Sequence, residues 1–324
     1  MRYIFASVFK DEFQEFLELR KAANKVYEPA QGVLGSLDRF LVSKEVSSKT
    51  LPESLMLEWL ADMNAKPQTR HWRLQSISPM IKYLRSLGIV AYLPEKPRAR
   101  SEYVPFIFSD IEFLKIIDAA DNRQPGFNTA TISASAQMPF LLRLLYSCGL
   151  RLGEALSLKW EHMDLESAVI TVRHAKNEKQ RVVPMSNSLN ELCKQYRASG
   201  LMSGKNCDFL FSNRKGGHYS LGYMWNLFSE ILETLGIGYA RGMKGGRGPC
   251  LHCLRHLFVL RSFAKMESEG YPFRDSVPYL STYLGHSSVM ETDHYLRFSH
   301  EIYEDAHAMI SNYTQGVFPE VIDE

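Results

Sequence analysis

The sequence predicts a mainly α protein: a helical N-terminal domain followed by a mixed, mostly α domain with one small antiparallel β-hairpin. Three observations carry this prediction. Apolar residues recur at helical spacing along most of the chain. Two neighbouring segments, 168–173 and 180–185, are instead rich in Val, Ile and Thr. Between the two helical parts, residues 89–106 (IVAYLPEKPRARSEYVPF) hold three prolines and a basic cluster but little periodicity.

The elements follow in order. Phe9, Phe13, Phe16 and Leu17 form an amphipathic stripe, and further stripes cover 35–41 and 55–63. A fourth covers 69–87, with Leu74, Ile77, Ile81 and Leu84 on one side, and Gly88 stops it. Pro79 lies inside that run and predicts a kink or break. Arg70, Arg73, Lys82 and Arg85 occupy the other side, either as a solvated face or as a phosphate-contacting stripe. Residues 1–88 thus read as one helical domain and 89–106 as a semi-rigid linker. Ser109 and Glu112 have capping-box spacing at the start of the next helix. Helical patterns continue through 138–146 and 151–158, the hairpin follows, and helices return over 187–198, 221–235, 252–268, 276–284 and 301–312. We read 107–298 as the second domain and 299–324 as a C-terminal tail.

Four segments carry chemistry. In YSCGLRLGEALSLKW, Arg151 and Glu154 are three apart at a helix start, so they share a face and can pair. That pair is either ordinary helix-end electrostatics or part of a site. The hairpin loop holds Lys176 and Lys179, solvated ammoniums or a mobile proton donor. In GPCLHCLRHLF, Pro249 suits a first helical turn, and His252, Arg255 and His256 then fall on one face. Such a face is too polar for a core seam, so it is exposed or it forms a site. Cys250 and Cys253 in the same segment form a C-x-x-C with no second close pair, which favours helix packing over metal or redox use. In TYLGHSSVMETDHYLRF, His286 follows a glycine and Tyr295 comes nine residues later.

Composition bounds the remaining choices. The chain has 324 residues, 45% hydrophobic and 23% charged, which excludes disordered, collagen-like and coiled-coil classes. No apolar run is long enough for a membrane span, and Asp11 arrives before a signal-peptide core can build, so a cytoplasmic protein is expected. Five cysteines fit reduced thiols rather than a disulfide framework. The net charge of +2 hides an asymmetry: the last 24 residues hold six acids and no Lys or Arg. The remainder is modestly basic and permits a polyanion partner. Lys96, Arg98 and Arg100 in the linker and Arg241, Lys244 and Arg247 in ARGMKGGRG are further candidate phosphate contacts. The latter glycines would let backbone approach a phosphate closely, but no G-K-[ST] follows, so this is not a nucleotide-binding P-loop.

Together, and in this order, the four segments resemble the tyrosine recombinases, the phage-integrase family. Arg151 in GLRLGE is similar to the family's first arginine. Lys176, eight residues before Pro184, resembles its hairpin lysine, although the loop reads A-K-N where many members have G-K-G. His252 and Arg255 in HCLRH match the central box, His286 in LGHSS the next histidine, and Tyr295 the nucleophile at the family's nine-residue offset. The resemblance implies a core-binding domain in the first hundred residues and a catalytic domain after it. It suggests a simple two-domain, Xer-like or transposon-type member, with no room before residue 1 for an arm-binding domain. It also implies a site-specific recombinase acting through a 3′-phosphotyrosine on double-stranded DNA. Tyr295 would attack, Arg151 and Arg255 clamp the phosphate, and His286 hydrogen-bond to it. His252 would take the tyrosine proton and Lys176 protonate the leaving oxygen, with Glu154 and His256 in support. No cofactor or metal is implied. Four protomers on two DNA sites would act together, exchanging their C-terminal tails, with DNA-bending accessory proteins as further partners and the nucleoid as the place of action. A non-catalytic DNA-binding factor of recombinase descent and a type IB topoisomerase are the alternatives in other classes.

Overall fold

In a computed structural model the described residues are 3–23, 28–97, 106–123, 129–173, 180–199, 208–213, 215–238 and 248–286. They fold as two compact units that divide between residues 102 and 103.

The first unit is built from α1 (Lys10–Ala22), α2 (Glu28–Ser43), α3 (Glu53–Asp62) and α4 (Pro67–Ser86). Its core gathers Phe9, Phe13, Phe16, Leu37, Leu41, Met56, Trp59, Leu74, Ile77, Ile81 and Leu84. Each large side chain buried there contributes roughly 1.5–3 kcal/mol. Buried Asp38 on α2 accepts hydrogen bonds from the backbone N–H groups of Ala6 and Ser7, which ties down the start of the chain. The expected break at Pro79 does not occur: α4 runs through it as one helix. The reason is its position. Pro79 and Gln75, whose carbonyl loses its partner, are both exposed, so water can serve that carbonyl while the apolar side stays packed.

The span read as a linker is built into the units at both ends. Leu51 and Ala91 form a parallel bridge, with Leu51 N–H donating to the Val90 carbonyl and Tyr92 N–H to the Leu51 carbonyl, both at 2.8 Å. The carbonyl of Pro97 lies 3.0 Å from His71 Nδ1. At the other end Phe106 packs, partly buried, against the second unit's core.

The second unit comprises α5 (Asp110–Asp121), α6 (Thr129–Cys148), α7 (Leu152–Ser157), a 3₁₀ turn (Trp160–His162), β1 (Met163–Asp164), β2 (Val169–Arg173), β3 (Gln180–Pro184), α8 (Asn187–Ala198), α9 (Leu221–Thr234), α10 (His252–Ser268) and α11 (Phe273–Leu284). The capping box at α5 is present, with Ser109 Oγ accepting from Glu112 N–H and Glu112 accepting from Ser109 N–H. The strands form an antiparallel sheet in the order β1-β2-β3, in which Ile170 faces Val183 and Val172 faces Arg181. Strand β1 was not anticipated: two residues are too few to show a period. The core runs from α6 to α9 and α10, and a smaller cluster of Val259, Phe263, Val277, Leu280 and Leu284 joins α10 to α11. The fold class is the mainly α one expected, with a small antiparallel sheet. The expected helix over 301–312 lies outside the described residues. No helix among the described residues is long and apolar enough to cross a membrane.

Candidate active site

The site is assembled where four chain segments turn. The first is the junction of α6 and α7. Gly149 sits at φ +59°, and a Cβ there would lie 2.4 Å from Phe258 Cδ1, so both backbone and space require glycine. Arg151 is then the N-cap of α7, and Glu154, at the third helical position, reaches back to accept from the Arg151 N–H at 2.9 Å. The same carboxylate accepts from Arg151 Nη1 at 2.9 Å, so the pairing expected from their spacing is present.

Sequence reasoning missed the second partner of Glu154. Arg181 on β3 donates from Nη1 to Oε1 at 3.1 Å and from Nη2 to Oε2 at 2.7 Å, a two-pronged pair. The signal was in the strand's alternation. Arg181 shares a sheet face with Val183, which is fully buried, whereas Val182 between them is 61% exposed. An arginine on the inner face of a strand needs an anion, and Glu154 is that anion. Burial alone would raise the Glu154 pKa; the bonds from Arg181 and the Arg151 N–H and the charges beside it outweigh this and pull it down to about 2.

The third segment is the first turn of α10. Arg255 is only 1% exposed, yet both terminal nitrogens of its guanidinium meet polar groups. Nη1 donates to the Gly149 carbonyl at 2.7 Å, and Nη2 donates to the Leu284 carbonyl at 3.0 Å and meets His286 Nε2 at 2.9 Å. A guanidinium has no acceptor, so Nε2 of His286 accepts and this imidazole is neutral with its proton on Nδ1. His252, one turn earlier, is exposed at the surface but stands among groups that strip water from its ring. Desolvation, then the charges of Arg255 and Arg151, push its pKa down to about 4, so it is neutral at pH 7. His256 is buried, and its ring meets that of His252 edge to face with centroids 4.7 Å apart. The polar face of α10 thus divides: His252 opens to solvent, while Arg255 and His256 turn inward. Cys250 and Cys253 hold their sulfurs 3.7 Å apart, and Cys253 belongs to the main core.

The fourth segment is the end of α11. Gly285 at φ +66° closes the helix, with His286 N–H donating to the Ser281 carbonyl and Gly285 N–H to the Thr282 carbonyl. These are the two bonds of a Schellman motif, and they fix where His286 leaves the helix. Nearby Tyr283 is a packing residue: its ring stacks on Phe258 and burial pushes its phenol pKa up.

Of the residues singled out from the sequence, Arg151, Glu154, His252, Arg255, His256 and His286 come together here. Tyr295, Lys176, Arg98, Arg100, Arg241, Lys244 and Arg247 lie outside the described residues. On α4, Lys82 and Arg85 are exposed whereas Arg70 and Arg73 are half-buried, so the four do not make one evenly solvated stripe. Arg85 Nε donates to the Ala91 carbonyl at 2.7 Å. Lys96 is exposed.

Chemically, the described residues of the cluster offer the guanidinium groups of Arg151, Arg181 and Arg255, the Glu154 carboxylate, a neutral histidine with a low pKa, and a second neutral histidine oriented by Arg255. Such a set suits a phosphate oxyanion. Comparisons with known proteins give the family. Residues 110–301 match the model of the phage integrase family. The chain is 28% identical to a putative integrase/recombinase, y4rB, of Sinorhizobium fredii, over 93% of this chain and 96% of that protein. It is 28% identical to the tyrosine recombinase XerD of Neisseria meningitidis serogroup B over 51% of this chain and 55% of that one. Its fold is similar to that of a lambda integrase dimer bound to a COC′ core site, with a TM-score of 0.63 at 13% identity, over 90% of this chain and 77% of that chain. With the family model spanning more than half of its length, the chain belongs to the phage integrase family, the tyrosine recombinases that cut and rejoin DNA at specific sites.

Proposed function

We propose that the cluster around Arg255 is the phosphate-holding half of the recombinase active site and that Tyr295 supplies the nucleophile. One observation carries this: a single buried guanidinium touches the Gly149 carbonyl and His286, so the Arg151, Arg255 and His286 segments meet at one point. In the reaction the Tyr295 oxygen attacks the scissile phosphorus, a 3′-phosphotyrosine forms, and the 5′-oxygen leaves. Charge grows on the non-bridging oxygens, where Arg151 and Arg255 stand ready; such preorganised donors are worth on the order of 3–4 kcal/mol each. His286 adds a hydrogen bond. His252, unprotonated at neutral pH, takes the phenol proton as the attack proceeds, and Lys176 protonates the leaving oxygen. Glu154 holds Arg151, and His256 packs behind His252. The bond energy stays in the phosphotyrosine, so a second 5′-hydroxyl can reseal the strand without net hydrolysis.

Double-stranded DNA is the partner this chemistry requires. We assign the first unit and the linker to DNA binding through Arg70, Arg73, Lys82, Arg85, Lys96, Arg98 and Arg100, with Arg241, Lys244 and Arg247 contributing from the catalytic domain. Four protomers on two sites, joined through residues 299–324 and helped by DNA-bending proteins, complete the reading. A nicked suicide duplex of the cognate site tests it. We expect a denaturant-stable protein–DNA adduct that Tyr295→Phe abolishes, and strand exchange between two sites. Sequence-tolerant relaxation with an adduct would indicate a topoisomerase; binding without an adduct would indicate a non-catalytic factor.

A further inference from the structure

The Glu154 carboxylate is the point at which the hairpin strand and the first catalytic segment are joined. Its two oxygens accept from Arg151 N–H and Nη1 and from Arg181 Nη1 and Nη2, at distances between 2.7 and 3.1 Å. Arg181 therefore holds the anion that holds Arg151. The same guanidinium lies against the turn that delivers His286. A Cβ on Gly285 would stand 3.0 Å from Arg181 Nη1 and 3.2 Å from its Cδ, so the stem and one nitrogen of Arg181 pack directly against that backbone. Arg181 is 10% exposed and Arg151 is 34% exposed. The inner cation is the more enclosed of the two, and the outer one keeps a third of its side chain open to solvent.

We propose that Arg181 is a positioning residue of the reaction: through Glu154 it fixes the Arg151 guanidinium, and through its contact with Gly285 it fixes the turn carrying His286. This rests on the recombinase reading above and adds to it a residue that touches no reacting atom. Physically, the arrangement removes freedom from two phosphate ligands at once, and a misplacement of about 1 Å in such groups can cost on the order of 100-fold in rate. A lysine cannot reproduce it, because an ammonium is a point charge and the two-pronged bond to Glu154 needs a planar fork.

Two variants of the full chain, Arg181→Lys and Arg181→Met, test the idea with three readouts on a nicked duplex of the cognate site. The first is single-turnover cleavage at saturating DNA. We expect a loss of at least about tenfold in Arg181→Met and a partial recovery in Arg181→Lys. The second is DNA affinity, which should change less than about threefold, since Arg181 does not reach substrate. The third is the pH dependence of cleavage. The charged or titratable groups facing Glu154 are Arg151 from the start of α7, Arg181 from β3 and His252 from α10. Removing Arg181 raises the Glu154 pKa, so the acid limb of the profile should move to higher pH, a change that general loosening would not produce. A substrate whose 5′-leaving oxygen is replaced by sulfur needs no proton donor. It should not rescue Arg181→Met.

Unchanged cleavage, equal loss of binding and cleavage with no shift of the acid limb, or full rescue by the sulfur substrate would each overturn the proposal; the last would assign Arg181 to the leaving-group lysine instead. If Arg181→Met fails to fold, Arg181→Lys decides on the same readouts. Absence of any adduct with the unmodified protein would overturn the recombinase reading and this inference with it, whereas an active parent with indifferent variants would remove only the inference.

Discussion

Arg151 and Arg255 are two guanidinium groups at one site, held in opposite ways. Arg151 stands at the mouth of a helix, a third exposed, paired with a carboxylate that a second arginine also grips. Arg255 is sealed inside and held by two neutral backbone carbonyls and a neutral imidazole. The first anchor is ionic and responds to pH; the second is made through backbone carbonyls and an imidazole. Locally, the arrangement separates orientation, which Glu154 supplies, from net charge, which Arg255 supplies.

The largest effect should come from breaking the sealed anchor. Arg255→Ala leaves the Gly149 and Leu284 carbonyls without their donor and opens a cavity, which should cost about 2–5 kcal/mol. Cleavage should fall by at least about 100-fold even where the variant stays folded. Denaturant unfolding and suicide-substrate cleavage measure the two parts. Gly149→Ala attacks the same anchor from the backbone, through a strained φ and a clash with Phe258. We expect about 2–4 kcal/mol in a thermal melt. A melt indistinguishable from the parent would mean that the carbonyl clamp does not depend on this turn.

The ionic anchor should be weaker and titratable. Glu154→Gln keeps the shape but leaves two guanidinium groups facing an amide, and should cost about 1–3 kcal/mol at neutral pH. The pH dependence has a definite sign. Glu154 titrates near 4.5 when unfolded and near 2 when folded, so its stabilisation is present above pH 4.5 and is lost as pH falls through 2. His252 titrates near 6.5 unfolded and about 4 folded, so the unfolded chain binds the extra proton and stability falls as pH drops across that window. Urea midpoints between pH 3 and 7 should therefore rise with pH. Glu154→Gln should flatten the lower part of that curve and His252→Gln the upper part, the smallest of these effects.

Much of this was legible in the sequence because local rules govern it. The Ser109–Glu112 cap, the helices from α1 to α11 and the Arg151–Glu154 pair follow from spacing alone. What sequence reading missed was long-range. Arg181 looked like one more charge on a short strand until its alternation with Val183 was joined to Glu154, 27 residues away. Pro79 failed to break α4 because the carbonyl it orphans is on the wet side, a fact about the whole fold. His252 and His256, one turn apart on α10, could not be told apart as open and buried without knowing what packs on that face.

The carbonyl clamp on Arg255 also constrains how the enzyme comes into being. One side chain bridges partners 106 and 29 residues distant, and neither contact can form until those long loops have closed. A chain truncated before residue 284 has the arginine and the Gly149 carbonyl but lacks the Leu284 carbonyl and His286 that complete the clamp. The clamp is therefore complete only once the chain extends through residue 284 and this unit has closed around it.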